Sequence, residues 1–479
     1  MLFDTIIKNI EVFDGSGEEA FFADVAIRNN RIEKIGKLDI EECEHVIEGY
    51  GLALAPGFID VHTHDDTNVI RYPECLPKIS QGVTTVIVGN CGISASPAVL
   101  DTAPPDPMNL LGEQKDFKYP SFLAYAEAVE QAKPAVNVAA LVGHTTLRNQ
   151  VMDRLDRTAT DDEIAKMQSS LDKAMEQGAL GLSSGLAYAS AKQATANEVM
   201  QLSEVLAEHS GIYTTHMRTE FEEIISAMDE AFETGKHARV PVVISHLKCA
   251  GAGNWGRTVE VINHLETASK HQDVSCDCYP YSASSSTLDL KQVTDEIDIF
   301  ITWSKTLPQY AGKMLKDIAH EMALPLMDAA KALQPAGAVY HCMDENDVKR
   351  VLKYKLTMVG SDGLPNDPHP HPRLWGTFPK VLGHYSREEK LFSMEVAIHK
   401  MTGLSAKRYN LDQRGIIKEG AYADLVIFDP NTVKDTATFE NPISASQGIE
   451  YVFVNGELSY YKGKVQNKRS GVFIFNNNK

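Results

Sequence analysis

Eight short apolar segments, each followed by a stretch with helical apolar spacing, constrain the middle of this chain more than any other feature. They cover 58–62, 84–89, 137–142, 179–184, 211–216, 241–246, 273–279 and 356–361. Short apolar runs bounded by turn residues read as buried strands. The patterns at 197–209 and 221–234 read as amphipathic helices. From the fourth segment to the seventh, starts recur about every 30 residues, the length of one strand–helix unit. Eight such units predict a (β/α)8 barrel. The spacing breaks between the seventh and eighth segments. There 283–338 adds sequence that reads as helical, including 303–322, and is expected to lie over the barrel mouth as an insertion.

The two ends of the chain have a different pattern. Short β-like runs occupy 5–13, 23–28, 31–35 and 45–48, and a similar set occupies 424–428, 450–454, 457–460 and 471–475. Asp14-Gly15, Asn29-Asn30 and Asn455-Gly456 between them are hairpin turn chemistry. The expectation is a small β-sandwich domain assembled from 1–55 and 415–479, flanking a catalytic barrel over 56–414.

Charge narrows the choice of partners. With 46 Lys and Arg against 65 Asp and Glu, the formal net charge is −19. Such a surface repels nucleic-acid phosphates and anionic membranes, so neither is an expected partner. An anionic substrate would need local positive charge at its site. The first residues carry no basic, apolar signal-peptide pattern. No run of about 18 apolar residues suggests a bilayer span. Seven cysteines, odd in number and scattered, point to a reducing compartment, with the cytoplasm as the expected location. Cys276 and Cys278 could form a metal clip, but the alternating pattern around them favours a buried strand. A homo-oligomer is compatible with the sequence.

Barrel active sites lie at the C-terminal ends of the strands, and metal-binding residue types gather there repeatedly. The first segment runs out through His62 and His64, which share one face at positions i and i+2. Cys91 follows the second segment, His216 ends the fifth, His246 ends the sixth, and Asp362 follows the eighth. A lone histidine at a strand end is usually structural. Four histidines, a cysteine and an aspartate at one end of five strands predict a metal site, and this mixture of N, S and O donors favours zinc.

At these residues the chain resembles the amidohydrolase superfamily, and within it the N-acyl-D-amino-acid deacylase, or D-aminoacylase, branch. The motifs are Pro-Gly-Phe-Ile-Asp-Val-His-Thr-His-Asp (56–65), Gly-Asn-Cys-Gly (89–92), Gly-Leu-Ser-Ser-Gly-Leu-Ala-Tyr (181–188) and Thr-His-Met-Arg (215–218). They continue with Ile-Ser-His-Leu-Lys (244–248), Tyr-Pro-Tyr-Ser-Ala-Ser (279–284), Val-Gly-Ser-Asp-Gly (359–363) and His-Pro-Arg-Leu-Trp-Gly-Thr-Phe-Pro (371–379). The resemblance implies zinc-dependent hydrolysis of small N-acylated D-amino acids. It implies a tight zinc site at Cys91, His216 and His246, and a second, weaker metal position near His62, His64 and Asp362. It casts Asp362 as the proton carrier, and Arg373, Lys248, Tyr279 and Tyr188 as substrate-binding residues. Many superfamily members place a carboxylated lysine after strand four. Here Ser183-Ser184-Gly185 stands there, so Cys91 would supply the bridging or anchoring anion.

Two departures bear on specificity. The loop after Tyr188 reads Ala189-Ser190-Ala191-Lys192, without the proline usual in relatives. No arginine lies between Arg257 and Arg350, so a neutral, even apolar, substrate side chain is expected. The His369-Pro370-His371-Pro372 run is expected to stiffen a loop. One rival is a cyclic-amide hydrolase of the dihydropyrimidinase or dihydroorotase kind, which would show the strand-four lysine. The other is an inactive scaffold, which should have lost ligands or Asp362.

Overall fold

Parallel strands covered on both faces read as continuous apolar runs, and this explains why the middle segments were legible. In the computed structural model, which describes residues 3–38 and 43–476, all eight become barrel strands. In order they are Phe58–Asp60, Val83–Val88, Asn137–Ala140, Gly181–Gly185, Ile212–His216, Val242–Ile244, Val274–Cys278 and Thr357–Val359. Each pairs in parallel with its sequence neighbour up to the eighth. Strand three reaches strand four through a short continuation, Val142–Gly143. Helices such as Ala196–Ala207 and Ile224–Ala238 cover the outside. Ile59, Val61, Ile87, Ala139, Leu141, Leu180, Ile212, Val243 and Met358 fill the interior, which Tyr409 and Leu411 join.

The barrel closes differently from the way it propagates. Between strands eight and one there is only an isolated parallel bridge, Thr63 to Gly363, among the described residues. Asp362 N donates to His62 O at 2.7 Å, and His64 N to Gly363 O at 3.2 Å. This closure lies at the level of the candidate ligands.

Strands from both ends of the chain share one nine-stranded sheet, in which Leu425–Phe428 pairs with Ala53–Pro56. The sheet curls back on itself: Arg31 bridges Tyr422, and Ile32 N donates to Ala421 O at 2.9 Å. Ile7, Ile10, Val25, Ile27, Leu54, Leu425, Ile427 and Phe453 form its core. Residues 471–475, expected as a further strand of this sheet, go elsewhere. The tail runs along barrel strand three, where Phe473 bridges Val138. Its Phe473 ring packs on Phe122 and Tyr125.

The insertion is a correction to the sequence reading. Trp303 belongs to a strand, Ile299–Ser304, and of the expected helix Leu315–Met322 is α-helical, with a short 3-10 turn at Pro308–Tyr310. That strand joins Ser284–Thr287, Ala336–Tyr340 and Lys313–Met314 in an antiparallel sheet. The run Ile-Phe-Ile-Thr-Trp is rich in β-branched and aromatic residues, which favour a pleated surface. The base of the insertion sits on the barrel mouth, where Gly251 N donates to Cys342 O.

Candidate metal centre

The end of strand five and the loops that follow strands one, two, six and eight bring the six expected ligand residues together. Two overlapping groups result, His62, His64, Cys91 and Asp362 in one, Cys91, His216 and His246 in the other, each with donor atoms within 4.8 Å of one another. Cys91 belongs to both. Its Sγ lies 3.1 Å from His62 Nε2 and 3.4 Å from His246 Nε2. Asp362 Oδ1 lies 3.1 Å from His64 Nε2 and 3.5 Å from His62 Nε2. The rings of His216 and His246 meet edge-on at 4.5 Å.

Backbone conformation aims these side chains. Cys91, His246 and Asp362 hold φ of 53°, 37° and 49°, in the left-handed region that non-glycine residues rarely enter. Such strain persists where the surroundings over-determine it. At Cys91 the surroundings are strand four. Ser183 Oγ donates to Gly89 O at 2.5 Å and accepts from Gly92 N at 3.0 Å. A Cβ on Gly92 would lie 2.6 Å from Gly185 N. Strand four thus supports the cysteine turn.

Electrostatics fit a cation. Burial raises the Cys91 thiol, but His62 and His246 overcome this and hold it well below the ordinary thiol range, as a thiolate. Burial likewise raises Asp362, while Arg373, His62 and His64 hold it well below the usual carboxylate range. One thiolate, one carboxylate and four imidazoles are a donor set suited to zinc, so the residues fit the implied metal.

The expected substrate-binding residues converge beside the ligands. The Arg373 guanidinium lies 4.5 Å from the Tyr279 ring, and Lys248 Nζ lies 5.7 Å from it. Tyr188 packs on His216 at 4.8 Å. Both cations already have partners. Arg373 Nη1 lies 2.9 Å from Asp362 Oδ2, and Lys248 Nζ donates to Glu220 Oε1 at 2.6 Å. The buried Tyr279 hydroxyl and Arg373 Nε have no hydrogen-bond partner among the described residues.

Supporting residues were missed by the sequence reading. Asp277 Oδ1 accepts from His246 N at 2.8 Å and lies 3.2 Å from His62 Nδ1, so one carboxylate orients two ligands. Glu220 Oε1 lies 2.8 Å from His246 Nδ1. A carboxylate on the far nitrogen of a ligating histidine fixes its ring and raises its basicity. His371 Nε2 donates to Ala283 O at 3.0 Å, and its Nδ1 accepts from Arg373 N at 2.9 Å. Burial and Arg373 keep that imidazole neutral, so it anchors Arg373 to the insertion rather than binding metal. Cys276 and Cys278 are buried strand residues, as expected. The only pattern that could have pointed to Asp277 is its place between them, on the opposite strand face.

Residues 46–460 match the model of the amidohydrolase family. The chain belongs to the amidohydrolase family. It is 47% identical over 454 residues to a D-aminoacylase of Alcaligenes xylosoxydans xylosoxydans, covering 95% of this chain and 94% of that one. It is 46% identical over 454 residues to an N-acyl-D-aspartate deacylase of the same organism, covering 95% and 91%. A crystal structure of N-acyl-D-glutamate deacylase from Bordetella bronchiseptica, complexed with zinc and a phosphonate mimic of the tetrahedral intermediate, is 40% identical. It superposes with a TM-score of 0.95, covering 99% of this chain and 100% of that one. In this amidohydrolase chain Ser183 lies within strand four, and Cys91 is the residue common to both candidate ligand groups.

Proposed function

We propose that the protein hydrolyses the amide bond of N-acyl-D-amino acids, releasing a carboxylate and a free D-amino acid. The observation that carries this reading is the Cys91 sulfur shared between two imidazole-rich groups, with Asp362 at one edge. Its likeness to enzymes named for this activity over nearly the whole chain supports it. Cys91, His216 and His246 would hold a tight zinc ion, and His62, His64 and Asp362, with Cys91, a weaker second one. Zinc bound there lowers the pKa of water and polarises a scissile carbonyl.

The chain's own groups supply the rest. Asp362 takes the proton of the attacking water and returns it to the departing nitrogen, a step amides need because an amine anion is a poor leaving group. Neighbouring cations keep its carboxylate ionised, the form in which it can take a proton. Arg373 offers the substrate carboxylate a planar fork, with Lys248 and the unpartnered Tyr279 hydroxyl beside it. Tyr188 packs on His216 and would border the bound substrate there. The preference for neutral side chains follows from the arginine-free stretch between Arg257 and Arg350. The division into a terminal β domain and a barrel over 56–414, and a reducing cytoplasmic setting for its seven free thiols, belong to the same proposal.

The test is zinc analysis of the purified protein together with a panel of N-acetyl-D and N-acetyl-L amino acids, scored by amine release. Amine release from D-substrates with neutral side chains, by zinc-containing protein, is expected. Release from L-substrates alone, or no bound zinc, would sink the proposal, and efficient turnover of N-acetyl-D-glutamate or N-acetyl-D-aspartate would overturn the side-chain preference.

A further inference from the structure

Asp362 and the pair His62 and His64 come from opposite ends of the barrel sequence and meet across a closure that, among the described residues, has an isolated bridge in place of a strand ladder. Something other than regular pairing must set their spacing. Behind that closure lies Lys78, from the short helix Leu76–Ile79 between strands one and two, with its side chain 1% exposed.

The three donors of its ammonium all have acceptors. Nζ donates to Asp60 Oδ2 at 2.8 Å and to Ser361 Oγ at 2.8 Å, and lies 3.1 Å from Asp65 Oδ2. Each acceptor flanks a candidate ligand: Asp60 precedes His62 by two residues, Asp65 follows His64, and Ser361 precedes Asp362. The acceptors are tied to each other as well. Ser361 Oγ donates to Asp60 Oδ2 at 2.6 Å, Ser361 N donates to Asp60 Oδ1 at 2.8 Å, and Gly363 N donates to Ser361 Oγ at 3.2 Å. A Cβ on Gly363 would lie 3.2 Å from Nζ, so the ammonium fills the space beneath that turn.

We propose that Lys78 is a positioning residue whose ammonium closes the seam between the first and last barrel strands and thereby sets Asp362 against His62 and His64. The inference rests on the metal and proton-carrier roles proposed above. It separates two effects that a buried cation could have. As a mere charge, Lys78 repels a metal cation, and its loss would tighten binding. As a clamp, its loss lets the two strand ends drift apart and weakens the position that needs both.

The experiment uses the full-length protein with Lys78→Met and Ser361→Ala, each freed of metal and titrated with zinc, then loaded and assayed. Ser361→Ala leaves no buried charge unpaired, so it decides alone should Lys78→Met fail to fold. In Lys78→Met the first zinc equivalent, held away from the seam, should bind as in the natural protein. The second should bind about tenfold or more weakly. Turnover should fall about 100-fold with KM unchanged, the cost of misplacing a reacting group by about an ångström. Ser361→Ala should move both readouts in the same direction by less. Wild-type binding of the second equivalent with wild-type kcat would overturn the inference, as would tightening of that equivalent or parallel loss of the first. An unaltered protein that binds no zinc would instead sink the parent reading.

Discussion

Asp362 is placed to do two things at once, because Oδ1 faces His64 while Oδ2 faces Arg373. Asp362→Asn keeps the shape and removes the base. Turnover should fall about 100- to 10,000-fold, the usual contribution of a positioned acid–base group. Tight zinc should remain, which elemental analysis checks, because Cys91, His216 and His246 are untouched. Asp277 should behave oppositely. Asp277→Asn releases His62 Nδ1 and His246 N, so zinc affinity should drop about 10- to 100-fold by chelator competition, with activity restored by added zinc. The two aspartates also show what a sequence reveals. Asp362 was legible because it sits after a strand beside a motif. Asp277 was not, because its work is done on residues 31 and 215 positions away.

Elements were legible where one force dominates. The barrel strands are buried at almost every position and were all found, since burial on both faces favours apolar and small residues along the whole run. The insertion mixes short strands and helices, so its strand through Trp303 was read as helix. The place of Cys91 just past the second barrel strand was legible, but the support that strand four gives its turn was not. Gly92→Ala tests that support. At φ 78° an alanine costs about 1–2 kcal/mol in backbone strain alone, and its methyl would press on Gly185 N. Tight zinc should be lost from protein that still folds by circular dichroism. Farther out, the loop between Asp362 and the helix Arg373–Lys380 carries a pH effect. Burial raises the Asp367 carboxyl to about 7. An acid whose folded pKa exceeds its unfolded value stabilises fully below the unfolded pKa, and that contribution is lost as pH rises through the folded one. Stability should therefore decline from about pH 4 to pH 7 through this group. Asp367→Asn should flatten that slope in denaturant titrations and leave the protein more stable than the parent at pH 8.

The whole molecule is held together at the end of the barrel opposite the candidate metals. Asp424, in the segment leading into the terminal sheet's Leu425–Phe428 strand, is buried there. It pairs with Arg414 and accepts from Asn137 Nδ2 at 3.1 Å and from Asn455 N at 2.7 Å. Asn137 opens barrel strand three, and Asn455 Nδ2 donates to its Oδ1 at 2.7 Å, so a few polar side chains join the terminal sheet to the barrel floor. Asp424→Ala would leave the buried Arg414 guanidinium without its anion. Breaking such a pair from one side costs about 3–5 kcal/mol, because the remaining charge stays buried. Denaturant unfolding should shift by that amount. Zinc content and turnover of the folded fraction should not change, since none of these residues reaches the mouth. If sheet and barrel depend on each other, fluorescence and zinc release will follow one transition that moves as a unit. Two transitions, with only the first displaced by Asp424→Ala, would mean that the terminal sheet unfolds separately from the barrel that holds the site.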